Sequence, residues 1–61
     1  MKTRVIVIDR NHGLCGQEGY IEQIVAVEVS FGRKYEAIVS IGRSFYPIDI
    51  NKLELAIEVT Q

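Results

Sequence analysis

Apolar and polar residues alternate along this chain with a period of two, and no stretch of ten residues carries helical periodicity. The β-branched run Val5-Ile6-Val7-Ile8 predicts a first strand over Arg4–Asp9, buried on both faces or lying at a barrel seam. Asn11, Gly13 and Gly16 mark Arg10–Gln17 as loop. A long second strand follows over Tyr20–Val29, in which Val25, Val27 and Val29 alternate with Ala26 and Glu28. Ile21 and Ile24 fall out of step with that alternation, which predicts a β-bulge near Gln23. Ser30–Lys34, centred on Gly32, reads as a hairpin loop. A third strand covers Tyr35–Ile41, with Tyr35, Ala37, Val39 and Ile41 on one face, and Gly42-Arg43 is a short turn. The fourth strand, Ser44–Ile50, contains Pro47, which has no ladder donor and belongs at an edge or irregular position. One 3-10 turn is expected over Ile50–Leu53. A fifth strand then alternates Leu53, Leu55, Ile57 and Val59 with Glu54, Ala56 and Glu58.

Two glycines three apart give this pattern its shape. Gly16 and Gly19 stand between apolar runs, in the spacing Gly-x-x-Gly-x-Ile-x-x-Ile completed by Ile21 and Ile24. Glycine admits φ > 0 and close backbone approach, so the spacing predicts a tight entry into a strongly bent strand. Five short strands with tight turns in 61 residues then predict a closed or nearly closed barrel, which limits exposed edges.

Length sets the energetics. Sixty-one residues form one domain, 1–61, whose stability is expected to be only about 3–9 kcal/mol. Cys15 is the single cysteine and His12 the single histidine, so neither a disulfide nor a four-ligand zinc site is expected, and no cofactor is implied. A lone cysteine fits a reducing compartment, so a cytoplasmic (or stromal) location is expected. The apolar run ends at Asp9-Arg10, too short for a secretory leader or a bilayer span. Seven basic residues face eight acidic ones, which weakens any reading based on a general field for nucleic acid or anionic lipid.

With these residues in place, the chain resembles the KOW family of SH3-like barrels. Val5 to Ile8 match the family's first strand, and Gly16, Gly19, Ile21 and Ile24 match its glycine motif. Ile48 to Leu55 resemble the last turn and closing strand of such barrels. The fold this implies is all-β: a small five-stranded SH3-like (KOW-type) barrel with one 3-10 turn before the last strand. KOW domains bind RNA or protein in ribosomal proteins and transcription elongation factors. The nucleic-acid-binding members usually carry lysine or arginine around the motif glycines, where this chain holds Gln17 and Glu18. The closing pattern also resembles small SH3-like subunits of photosynthetic electron-transfer complexes, which act as docking surfaces.

Candidate binding residues follow from the topology of an antiparallel meander. Odd-numbered loops share one end, which brings Arg10, Asn11 and His12 towards Arg43, with Tyr46 or Phe45 adding an aromatic face. Arg33 and Lys34 lie at the other end beside Phe31, a ring that is hard to bury in a hairpin loop and so a candidate anchor for a protein partner. The remaining aromatics are expected mostly in the core. Cys15 is expected as a small buried thiol, His12 as a solvated loop side chain, and Glu22, Glu28, Glu36, Glu54 and Glu58 as a solvated acidic face. No catalytic constellation is present, so the chain is read as a non-enzymatic interaction module docking on a larger protein or ribonucleoprotein complex. The alternative is a nucleic-acid-binding KOW-type regulatory protein of transcription or translation. No membrane insertion is expected. A homo-oligomer is open through an uncovered edge strand or the Val5–Ile8 run.

Overall fold

The computed structural model describes residues 2–56. Strands β1 (Thr3–Val7), β2 (Glu18–Val29), β3 (Gly32–Ile41) and β4 (Ser44–Asp49), a 3-10 turn (Ile50–Lys52) and β5 (Leu53–Leu55) follow one another along the chain. They form a single antiparallel sheet in the order β4-β3-β2-β1-β5. The all-β class, the five strands and the 3-10 turn before the last strand agree with the sequence pattern. Closure does not: the sheet is open, with β4 and β5 as its edges and no ladder joining them among the described residues. Ile57, Glu58 and Val59, expected in the last strand, lie outside the described residues.

Although open, the sheet is curled. Val5 and Val7 of β1, Ala37 and Val39 of β3 and Ile48 of β4 form one buried cluster, with Leu14, Ile21, Ile41, Tyr46 and Leu53 packed against it. In the sheet, β1 and β4 stand three strand spacings apart, about 14 Å if flat. Side chains from both can share a core only if the ribbon bends towards its own inner face.

Two devices produce the bend, and the sequence marks both. Pairing of β2 with β3 shifts register between Ile21↔Val39 and Gln23↔Ile38, leaving Glu22 as the extra residue of a bulge. The bulge is why Ile21 and Ile24, three apart, both point to the inner face opposite Val39 and Ala37. Gly19, paired with Val5 of β1, faces the end of β3 at such close range that an added Cβ would lie on the Ser40 carbonyl oxygen, 2.7 Å from Ile41 Cγ1 and 2.9 Å from Val39 Cγ1. Gly16 has φ +88° and donates its N–H to the Val7 carbonyl at 2.8 Å, tying the long loop back onto β1.

The Val5–Ile8 run proves to be interior. β1 is hydrogen-bonded to β2 on one side and β5 on the other, so this run has no edge for a second copy to pair with. Pro47 lies in the edge strand β4, where a missing donor costs no ladder bond on the outer side.

The β2–β3 hairpin extends well past its neighbours. β1 reaches β2 only as far as Ile21, and β4 reaches β3 only as far as Glu36, while β2 and β3 stay paired out to Val29↔Gly32. The distal part is a two-stranded arm, and the molecule is elongated, 45 × 27 × 24 Å. The turn is Ser30-Phe31 alone, shorter than the expected Ser30–Lys34 loop. Arg33 and Lys34 therefore belong to β3, held by continuous pairing with Glu28 and Val27.

Candidate functional site

Charge pairing singles out one end of the sheet. Lys2 contacts Glu22 at 2.9 Å, Arg4 contacts Glu18 at 2.7 Å, Arg33 contacts Glu28 at 3.3 Å, Lys34 contacts Glu36 at 3.5 Å and Lys52 contacts Asp9 at 3.5 Å. Among the described residues, the remaining two basic side chains, Arg10 and Arg43, have no carboxylate within 4.0 Å. Arg10 lies in the β1–β2 loop and Arg43 in the Gly42-Arg43 turn between β3 and β4, and both are exposed. The two connections leave the same end of the sheet, since β2 starts beside the end of β1 and β3 ends beside the start of β4.

The loop carrying Arg10 is ordered by its own short-range bonds. Asp9 Oδ1 accepts from the Asn11 N–H at 3.0 Å, and the Asp9 carbonyl accepts from the His12 N–H at 3.0 Å. His12 Nδ1 accepts from the Leu14 N–H at 3.1 Å, which places the ring proton of neutral His12 on Nε2. The His12 carbonyl accepts from Cys15 and the Leu14 carbonyl from Gln17, each at 3.0 Å. Leu14 anchors the loop against the core. The Asn11 N–H holds the Asp9 carboxyl below its ordinary value, assisted by Lys52 and His12 and opposed by partial desolvation. His12 is thus a half-buried structural acceptor rather than a solvated side chain, and Cys15 is exposed rather than buried. Asn11 stays exposed beside Arg10.

The aromatic residues depart most from expectation. Tyr46 is half-buried and packs on the core, whereas Phe45 is 65% exposed. Tyr20 and Tyr35 are also exposed, and Phe31 is 92% exposed. The core is filled by short aliphatics, so Tyr46 is the one aromatic that contributes to it among the described residues. Arg4, Tyr20, Ser40 and Phe45 are successive partners across β1, β2, β3 and β4, forming one row on the outward face. Of the two rings expected beside Arg43, Phe45 rather than Tyr46 is the one at the surface, and Tyr20 is a surface ring not expected there. Strand parity was the available signal, since Tyr46 shares a face with Ile48 and Phe45 does not.

At the arm's tip, Phe31 is exposed as expected, but its neighbouring cations are neutralised by Glu28 and Glu36. Among the described residues, each cation at that end has a carboxylate within 3.5 Å. Glu22, the bulge residue, accepts from Lys2 at 2.9 Å and from the Ser40 hydroxyl at 2.7 Å, and these bonds hold its carboxyl below the ordinary glutamate range.

No group of three or more metal-ligating side chains occurs among the described residues, and no helix there is long and apolar enough to cross a membrane. No protein-family model, curated protein or solved structure matches the chain.

Proposed function

We propose that this chain is a non-enzymatic interaction module that docks on a larger protein or ribonucleoprotein complex in the cytoplasm, using Arg10 and Arg43 to meet an anionic patch. One observation carries the reading: among the described residues these two guanidiniums lack a counter-ion while the other basic side chains have one. An unpaired, exposed arginine retains its full capacity for bidentate contact with a carboxylate or phosphate. Asn11 supplies a neutral polar neighbour, and the outward row containing Tyr20 and Phe45 supplies apolar area on an adjoining face.

The SH3-like, KOW-type assignment belongs to the same proposal. It is supported by the strand order β4-β3-β2-β1-β5, the 3-10 turn before β5, the bulge in β2 and the close approach at Gly19. The open edges stand against full closure.

Affinity capture from native lysate, followed by mass spectrometry, tests the proposal when run with the Arg10→Glu/Arg43→Glu variant in parallel. A specific partner recovered by the wild type and lost with the variant supports it. Equal recovery by both removes the basic end from consideration. RNA-binding KOW behaviour is the second reading, favoured by two arginines on a surface that also bears exposed rings. It requires affinity that falls steeply with salt, as phosphate contacts release counterions. A flat titration against single-stranded RNA at low salt eliminates it.

A further inference from the structure

We infer that the open edge of β2 from Val25 to Val29 pairs with the same edge of a second copy of this chain, antiparallel about Val27. The inference goes beyond the proposed docking at Arg10 and Arg43 and uses the opposite part of the molecule.

It rests first on how the edges differ. A free strand edge invites pairing, and proteins that stay monomeric blunt such edges with proline, charge or shortness. β4 carries Pro47. The free edge of β3 in the arm carries Arg33 and Lys34. β5 spans three described residues with Glu54 at its centre. The β2 edge has no proline, is not short and carries one charged residue in five, against two adjacent cations on the β3 edge. Beyond Ile21 no strand pairs with it on that side among the described residues, and its sequence there is Val25-Ala26-Val27-Glu28-Val29. Its single charge, Glu28, is already matched by Arg33 at 3.3 Å.

The occupant follows from the side-chain pattern and the charge. Antiparallel pairing about Val27 places Val25 opposite the second copy's Val29 and Ala26 opposite the second copy's Glu28. The valines of both copies then form one contiguous apolar row on the outward face, and no carboxylate faces its own kind. Centring on Glu28 would set two like charges directly opposite each other, which is unfavourable. A one-residue slip would place valines opposite alanine and glutamate and break the row. Space permits the fit, because the arm projects past both β1 and β4.

Sedimentation velocity on the purified chain over a wide concentration range tests this, with Val27→Lys as the disrupting variant and circular dichroism as the check on folding. The wild type is expected to move from monomer to dimer as concentration rises, and Val27→Lys to remain monomeric with an unchanged spectrum. Should that variant unfold, oxidative cross-linking decides. In a Cys15→Ser background, which removes the exposed native thiol, Val27→Cys meets its own copy across the two-fold and forms a disulfide-linked dimer. Val29→Cys, opposite Val25, cross-links far less. A wild type that stays monomeric throughout, a dimer untouched by Val27→Lys, or equal cross-linking at the two positions overturns the inference.

Discussion

Gly19 and the Ser40 carbonyl oxygen are in such close approach that no side chain fits between them. Backbone forms the obstacle, so the contact cannot be relieved by a rotamer change. Gly19→Ala must push β2 away from the end of β3 and is expected to cost about 2–3 kcal/mol, typical of overpacking without room to relax. For a chain expected to be stable by about 3–9 kcal/mol, a large share of the folded population is at stake. Urea denaturation measures it; a loss below about 0.5 kcal/mol would show that the corner adjusts freely.

Gly16 tests a different cause. Nothing stands within 4 Å of where its Cβ would be, but its φ of +88° is one that L-residues avoid. Gly16→Ala is therefore expected to cost about 1–2 kcal/mol from backbone strain alone. Gly16→Asn should recover part of that, because asparagine tolerates left-handed backbone better than alanine. A Gly19→Asn variant should recover nothing, since its problem is volume. Comparing the four variants separates strain from crowding.

Ile48 is the one buried residue of β4 and joins that edge strand to the core. Ile48→Ala is expected to destabilise by about 2–4 kcal/mol, from lost burial and the cavity left behind. A melting temperature within a few degrees of the wild type would mean that β4 is held by its ladder to β3 alone.

Reversing the free charges should leave the fold intact. Arg10 and Arg43 are exposed and make no ion pair among the described residues, so Arg10→Glu/Arg43→Glu is expected to change stability by less than about 0.5 kcal/mol. Denaturation of the double variant checks this and licenses any loss of partner binding as an effect on the surface.

Acid stability should depend on Glu22. Its folded-state pKa is depressed, first by the Lys2 hydrogen bond and then by Ser40, against a smaller opposing desolvation. A depressed carboxylate contributes stability that is fully present above its unfolded pKa and is lost as pH falls through the lower, folded value. The window therefore lies below the ordinary glutamate range of about 4.3. Glu22→Gln is expected to flatten the pH dependence of unfolding there and leave it unchanged near neutrality, relative to the variant's own plateau. Asp9, held low chiefly by the Asn11 N–H, adds a dependence of the same sign below the ordinary aspartate range, and Asp9→Asn reports it.

Local chemistry explains which features were legible from the chain. The odd spacing of Ile21 and Ile24 has one economical solution in a half-buried strand, an extra residue, and Glu22 is that residue. Gly16 and Gly19 each occupy a position that a side chain would strain or block. The shared end of Arg10 and Arg43 follows from antiparallel connectivity. What escaped depended on partners distant in sequence. Whether Arg33 and Lys34 sit in a loop or a strand is decided by Glu28 and Val27 across the hairpin. Whether a cation is free depends on carboxylates up to 43 positions away, as for Lys52 and Asp9. Closure depends on how β4 and β5 lie relative to each other after the whole ribbon has curved. The aromatic residues lie where pairing puts them: Tyr20 and Phe45 on the outward row with Ser40, and Tyr35 in the two-stranded arm opposite Ala26, away from the core.

The arm described above sets two exposed features of so short a chain far apart. Phe31 sits in the hairpin turn at one end of the sheet, and Arg10 and Arg43 lie in the connections at the other, in a body 45 Å long. On the proposed docking role, a ligand seated on one terminus would not crowd the other, and the span between the two would be fixed by the register of a single hairpin.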